Sequence, residues 1–168
     1  MEISLNDKLL KIYVIKRPFL QEFLEALSHH YEIGIFTASL REYAEQVIKE
    51  IDPNKMVRWT LYRDSCSIHE GLTIKDLERI PRPVERMLIV DDKETAFSLH
   101  PSNGILCRPF LGNRMDTELA RLRKTLVRIS QSKGDIRKEL RQVKCCGEWN
   151  DYVISQSDPS TPSTGMCL

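Results

Sequence analysis

Apolar residues along this chain switch repeatedly between a spacing near two and a spacing near 3.6. Residues 3–16 alternate loosely around Asn6-Asp7, which predicts two strands joined by a tight turn. Pro18 suits the first turn of a helix. Leu20, Phe23, Leu24 and Leu27 follow at helical spacing, so one stripe of that helix should face a core. Residues 32–36 form a short run with β-branched side chains and Phe36, as a buried strand does. Ser39 and Glu42 then stand at capping-box spacing, and Leu40, Ala44, Val47, Ile48 and Ile51 continue one helical face until Asp52-Pro53-Asn54 ends it. Further strands are predicted at 57–62, 86–90 and 105–107. A helical turn is expected between Ile74 and Ile80, stopped by Pro81 and Pro83. Asp116 can cap a last helix whose inner stripe is Leu119, Leu122, Leu126 and Ile129.

This alternation of strand and helix predicts an α/β fold, with a parallel sheet covered on both faces. The apolar pattern fades from Ser130. Residues 1–130 therefore read as one domain, and 131–168 as a basic extension. Its Ser-, Thr- and Pro-rich stretch, 155–165, has the composition of a disordered tail. A length of 168 residues suffices for one domain with a real core.

Composition changes this picture little. Hydrophobic residues make up 41% and charged residues 29%, with a formal net charge of +1. The longest apolar runs, such as 87–90, are too short to span a bilayer, and the N-terminus lacks a signal-peptide pattern. An intracellular protein, nuclear or cytoplasmic, is expected. The near-zero net charge hides nine basic residues against two acidic ones between Arg121 and Lys144. That stretch reads as a solvated helix face running into a basic extension, with a nucleic-acid contact as the rival reading. The five cysteines (66, 107, 145, 146 and 167) include no Cys-x-x-Cys pair and read as reduced thiols. His29, His30 and His69 lack ligand partners at zinc spacing and read as structural or solvated.

In open parallel sheets, ligands sit beyond the carboxyl ends of the strands. Two predicted strands end there in polar residues, one in Phe36-Thr37-Ala38-Ser39 and the other in Val90-Asp91-Asp92. Arg63 follows the strand at 57–62, and Lys75 lies in Ile74-Lys75-Asp76-Leu77. These residue types suit phosphoryl transfer. A hydroxyl can bond a phosphate oxygen, Lys or Arg can neutralise its charge, and carboxylates offer the hard oxygens that Mg²⁺ prefers. Each alone is ordinary: a Thr after a strand is commonly a turn residue, and a Lys beside an Asp a surface pair. Their order and spacing carry the weight.

Taken together, Val14-Ile15-Lys16-Arg17-Pro18, Phe36-Thr37-Ala38-Ser39-Leu40-Arg41-Glu42-Tyr43-Ala44, Leu61-Tyr62-Arg63-Asp64-Ser65-Cys66, Lys75-Asp76-Leu77, Ile89-Val90-Asp91-Asp92 and Met115-Asp116-Thr117-Glu118-Leu119 resemble, in order, the motifs of the small CTD phosphatase and Dullard family of the haloacid dehalogenase superfamily. The resemblance covers about residues 1–130. It implies a three-layer Rossmann-like fold with a parallel sheet and a small β-hairpin insertion near the N-terminus. It also implies a Mg²⁺-dependent phosphatase acting on phosphoserine or phosphothreonine in proteins, often beside proline. In some members the substrate is the C-terminal repeats of RNA polymerase II.

Carried over residue by residue, Thr37 would bind the transferred phosphoryl group and Lys75 would stabilise its charge. Asp91 and Asp92 would serve the metal site, where the family usually has Asp-Asn; a second carboxylate still suits a hard cation. Arg63 and Tyr43 would face the phosphopeptide. Ile3, Leu5, Ile12 and Leu40 match positions lining an apolar pocket for a substrate proline.

The chain departs from the family in a second respect as well. The family's first motif, Asp-x-Asp-x-Thr at the end of its first and central strand, supplies the nucleophile and a general acid and base. It has no counterpart in residues 1–168; Asp7, the one Asp before the second motif, sits in the predicted hairpin turn. The resemblance thus implies that the central strand belongs before residue 1, and that this form folds poorly alone and is inactive. The rival is a non-catalytic relative that binds phosphopeptide or another protein, as a mitochondrial import subunit with the same domain does.

Overall fold

A computed structural model describes residues 2–5, 8–11, 13–132 and 134–145, with side chains for 13–132 and 134–144. Ile12, the side chains of Ile3 and Leu5, and the tail at 155–165 lie outside the described residues.

Strands β1 (Glu2–Leu5) and β2 (Lys8–Lys11) form an antiparallel hairpin with Leu5 opposite Lys8, as the alternation around Asn6-Asp7 predicts. The second strand is shorter than expected. Residues 13–17 leave the ladder because Arg17 is held elsewhere. Its Nε and Nη2 donate to both carboxylate oxygens of Asp116 at 2.8 and 2.9 Å, and its Nη1 to the carbonyl of Arg108.

Pro18 precedes helix α1 (Leu20–Ser28) instead of entering it. The N-cap is Phe19, in the left-handed region at φ 65°. The predicted stripe of Leu20, Phe23, Leu24 and Leu27 is buried. Strand β3 (Ile33–Phe36), helix α2 (Arg41–Ile51) and strand β4 (Val57–Leu61) then make a βαβ unit whose two strands are parallel neighbours. The expected Ser39–Glu42 capping box is not formed. The N-cap of α2 is Leu40, without a side-chain bond, because the Ser39 amide donates to Oγ1 of Thr37. Leu40 is consequently exposed, not on the inner stripe. At the other end the buried carboxylate of Asp52 accepts the amides of Met56 and Val57, both at 2.8 Å, and fixes where β4 starts.

A second hairpin, β5 (Ser67–His69) with β6 (Leu72–Ile74), was not expected from the sequence. Its turn places Glu70 at φ 52° and Gly71 at φ 78°, the backbone that a two-residue hairpin connection demands. Strands β7 (Ile89–Asp91) and β8 (Gly104–Leu106) pair in parallel, three residues later and one residue earlier than predicted. Short 3-10 turns occupy Leu77–Arg79, Val84–Arg86 and Glu94–Phe97.

Helix α3 (Glu118–Ser130) buries Leu119, Leu122, Leu126 and Ile129 as expected. Asp116 helps start it by accepting the Glu118 amide at 3.0 Å. The expectation that the folded pattern ends near Ser130 gives way to a fourth helix, α4 (Ile136–Cys145), whose Ile136, Leu140 and Val143 join the same core. The basic side chains between Arg121 and Lys144 are thus largely the outer faces of two helices. No helix among the described residues is long and apolar enough to cross a membrane.

The parallel strands form two separate pairs. Among the described residues β3 bonds to β4, β7 bonds to β8, and β3 and β7 do not bond to each other. Both pairs nevertheless run the same way. At their N-terminal ends Arg82 pairs with Glu32 at 2.9 Å, and the charge of Arg86 reaches Tyr31. At their C-terminal ends lie Thr37 and Asp91, with Lys75 between the corresponding loops. A slot of about 260 Å³ lies between the two inner edges. Leu24, Leu27 and Leu126 wall it on the α1–α3 side, and Trp59, Leu77 and Ile80 on the other. The indole of Trp59 lies over Gly34, where a Cβ would come within 2.1 Å of Cζ2, so this glycine is required by close approach.

Separate apolar clusters cover the two faces. One centres on Leu24, Ile35, Ile105, Leu122, Leu126 and Leu140; the other on Phe36, Leu77, Ile80, Ile89 and Phe97.

The Arg17–Asp116 pair ties the N-terminal segment to the loop before α3, and both side chains are largely buried. Arg17, first through its hydrogen bonds, holds the Asp116 carboxyl below its ordinary range. A depressed carboxylate stabilises the fold above its unfolded pKa of about 3.9, and this is lost as pH falls through the lower folded value. Arg17→Leu should therefore cost about 2–3 kcal/mol near neutral pH. The difference from wild type should shrink as the solution is acidified below about pH 4. Urea melts at several pH values would measure this; a pH-independent difference would assign the cost to packing alone.

Candidate active site

The ends of β3, β6 and β7 deliver polar side chains to the C-terminal ends of the parallel strands. Thr37 follows β3 directly and is buried. Its amide continues the ladder by donating to the Leu61 carbonyl at 2.8 Å, and its Oγ1 accepts from Ser39 at 3.1 Å. Asp91 ends β7. One of its carboxylate oxygens accepts the Lys93 amide at 2.9 Å, and the other accepts Nζ of Lys75 at 2.5 Å. Lys75 and Asp91 are 8% and 3% exposed, so this ion pair belongs to the interior. The backbone of Lys75 is fixed too, its amide donating to the Ala96 carbonyl at 2.7 Å.

Lys75 thus pairs across the fold and not with its neighbour Asp76, against the ordinary reading of adjacent Lys and Asp as a surface pair. Asp76 turns the other way. Its carboxylate accepts the Glu78 amide and meets Nε2 of His100 at 2.8 Å. The His100 bond is the main cause that holds the Asp76 carboxyl below its usual range. The sequence pattern does not single out His100; it follows the 3-10 turn that also anchors Lys75, and no local spacing marks it.

Cys66 is a second such omission. Its Sγ lies 3.8 Å from the Thr37 carbonyl oxygen, and burial pushes its thiol pKa up against the opposing charges of Lys75, Arg63 and Arg79. Asp64 acts on the same thiol in the opposite sense to these cations, and Lys75 is already paired with Asp91. Arg63 itself is exposed, with its Nε donating to the Ala38 carbonyl at 2.6 Å. Tyr43 is half-buried against the α-helical core, and Leu40 beside it faces solvent. His29, His30 and His69 are exposed, as expected.

Asp92 is half-buried next to Asp91. Desolvation first, and the Asp91 charge second, push its carboxyl pKa up. Such a group gains from a hard cation. Two adjacent carboxylates are a partial ligand set, and no group of three or more candidate ligands stands together among the described residues.

The layered α/β architecture and the polar groups beyond two parallel strands define a domain of the haloacid dehalogenase kind. Its backbone is similar to that in "The Structure of Fcp1, an essential RNA polymerase II CTD phosphatase", with a TM-score of 0.64 and 21% identity over 76% of this chain and 54% of that one. Residues 1–137 match the family model of the NLI interacting factor-like phosphatases, and the chain belongs to that family. It is 34% identical over 142 residues to human carboxy-terminal domain RNA polymerase II polypeptide A small phosphatase 1, covering 84% of this chain and 54% of the relative. It is 35% identical over 117 residues to a probable C-terminal domain small phosphatase of Dictyostelium discoideum, covering 70% and 38%. The chain therefore spans between about a third and about half of the length of these relatives.

Proposed function

We propose that this chain is the body of a protein serine/threonine phosphatase that works through an aspartyl-phosphate, its nucleophile arriving on a strand seated between β3 and β7. The support is the buried Lys75–Asp91 pair at the same end of the slot as Thr37. Oγ1 of Thr37 already accepts the Ser39 amide, which leaves its hydroxyl hydrogen for a phosphoryl oxygen. Nζ of Lys75 has three donors, one spent on Asp91, and the others can meet developing negative charge.

A carboxylate of the incoming strand would bond to phosphorus as the bond to the substrate serine or threonine oxygen breaks. The second aspartate of that strand would protonate the departing oxygen. Water would then cleave the aspartyl-phosphate, releasing inorganic phosphate and restoring the carboxylate. Asp91 and Asp92 would hold Mg²⁺ together with oxygens of the strand, substrate and solvent, since the ion favours six oxygen ligands. Bound there, the ion neutralises charge on the phosphoryl oxygens. Exposed Arg63 and half-buried Tyr43 would face the phosphopeptide, and Leu40, with Ile3, Leu5 and Ile12, would line an apolar pocket for a neighbouring proline. The named activity of the human relative makes RNA polymerase II repeats the substrate to try first.

On this reading the chain alone turns nothing over. A version extended upstream by an apolar strand and Asp-x-Asp-x-Thr should hydrolyse a phosphoserine-proline peptide with Mg²⁺ at least about a thousand-fold above the unextended chain. That is a modest fraction of usual enzymatic accelerations of about a million-fold or more. An extended, folded chain that binds the peptide without hydrolysing it would instead mark a phosphopeptide-binding relative. One that does neither would overturn the proposal.

A further inference from the structure

We infer that His100, acting through the carboxylate of Asp76, is a positioning residue for the Lys75 ammonium. The inference rests on the proposed function for what Lys75 does, but not for how Lys75 is held.

A lysine head sits at the end of a flexible four-carbon stem, so where it points depends on how firmly its backbone is oriented. Lys75 follows the short strand β6, and two rings of bonds close on its contact with Asp91. The inner ring is local. The Lys75 amide donates to the Ala96 carbonyl at 2.7 Å, the Ala96 amide to the Lys93 carbonyl at 3.0 Å, and the Lys93 amide to the Asp91 carboxylate at 2.9 Å. This ring fixes the Lys75 backbone at one point, about which the segment can still rotate.

The outer ring adds a second point one residue further on. Oδ1 of Asp76 meets Nε2 of His100 at 2.8 Å. From His100 the path returns to the other partner of the ion pair. The Asn103 amide donates to the His100 carbonyl at 2.9 Å, and the Ile89 amide to the Asn103 carbonyl at 3.0 Å. Ile89 starts β7 and Asp91 ends it. Asn103 is buried, and its Nδ2 donates to the carbonyls of both Val84 and Met87, so the return path is rigid. His100 is anchored as well, its amide donating to the Phe97 carbonyl at 2.9 Å. Apart from the Lys75–Asp91 pair, the His100–Asp76 contact is the one link in these rings made between two side chains.

A carboxylate only accepts, so this contact requires hydrogen on Nε2. The same bond is the first cause of the low Asp76 carboxyl pKa, which keeps that group ionised as an acceptor. The side chains are 12% and 23% exposed, so water competes little for the bond.

Other charges surround the rings. Arg79 also draws on Asp76, Asp92 stands beside Asp91, and Arg63 and Asp64 act in opposite senses on Cys66 next to Lys75. Lys144 donates to the carbonyl of Pro101, directly after His100. His100→Leu and His100→Gln both leave these charges in place and differ in whether residue 100 can donate. Changing Asp76 would not serve, because its Oδ1 also accepts the Glu78 amide and starts the turn at Leu77–Arg79.

The test uses the full chain with nitrogen-15 in its lysines and histidines, read by NMR near neutral pH. The Nζ–H signal of Lys75 is assigned by its loss in Lys75→Arg. His100→Leu should speed hydrogen exchange at this Nζ at least about tenfold, since a less firmly oriented lysine leaves Asp91 more often. His100→Gln, whose amide can still donate to Asp76, should stay within about threefold of wild type. Ile129→Val in α3 supplies the comparison for mere loss of stability. It should leave the exchange unchanged, because local opening does not track global stability. Equal acceleration by His100→Leu and Ile129→Val would overturn the inference, as would His100→Leu and His100→Gln behaving alike. If His100→Leu does not fold, the wild-type imidazole spectrum and His100→Gln decide. Hydrogen on Nε2 with wild-type exchange in His100→Gln sustains the inference, and hydrogen on Nδ1 alone sinks it.

The proposed function stands or falls separately. Lys75 exchange that depends on a donor at residue 100, in a protein whose upstream-extended form hydrolyses nothing, keeps His100 and sinks the phosphatase. Hydrolysis by the extended form, with Lys75 exchange indifferent to residue 100, does the reverse.

Discussion

Lys75→Met should destabilise the protein by about 3–5 kcal/mol, the usual cost of leaving one member of a buried ion pair without its partner. The Asp91 carboxylate is almost fully enclosed, and besides Lys75 it accepts the Lys93 amide. One amide does not replace an ammonium 2.5 Å away. A whole domain is stable by only about 5–15 kcal/mol, so the single variant should approach the edge of folding. The urea midpoint should fall while the slope of the transition stays constant, as for a change in stability rather than in compactness. The double variant Lys75→Met with Asp91→Leu should recover most of the loss, because apolar side chains of similar volume commonly replace a buried pair at little cost. A single variant within about 1 kcal/mol of wild type would mean that water reaches Asp91, since exposed pairs are worth about that or less.

Leu122→Ala should cost about 2–5 kcal/mol through the cavity it leaves. Leu122 has no measurable exposure and stands mid-way along α3, in the cluster that joins α1, β3, β8 and α4. Its neighbours Leu24, Leu126 and Leu140 are themselves enclosed, so the walls have little room to collapse. The slot lies next to this cluster, being lined by Leu24 and Leu126. Leu122→Met, which keeps the volume, should cost less than about 1.5 kcal/mol. Leu111→Ala, at a leucine 91% exposed, should stay within about 0.5 kcal/mol. Equal midpoints for the variants at 122 and 111 would contradict the central place of α3 in the core.

The helical stripes of α1 and α3 were legible because 3.6-residue spacing is a property of the chain itself. Helix α4 was missed although Ile136, Leu140 and Val143 have that spacing. Three apolar residues among many charges become a buried stripe only because α3 and the 84–86 turn lie beside them. The Ser39 capping box failed for a related reason. Thr37, fixed by the ladder to β4, offers its hydroxyl to the same amide region first.

The site shows the same division. Thr37, Lys75, Asp91 and Asp92 could be named from motif order, and the sequence resemblance to the family is the source of their expected roles. The partners could not be named. Lys75 might equally have met Asp76, one residue away. The 3-10 turn at Leu77–Arg79 instead sends Asp76 to His100, and the Ala96 carbonyl holds Lys75 toward Asp91.

By itself the sequence determined the kind of layers, the helices with strong stripes, and which residue types reach the strand ends, since periodicity and strand-end position are local. Tertiary structure alone decided which carboxylate neutralises Lys75 and that the two parallel pairs stand apart around an apolar slot. Long-range hydrogen bonds and packing set those outcomes, and they depend on distances between segments far apart in the chain.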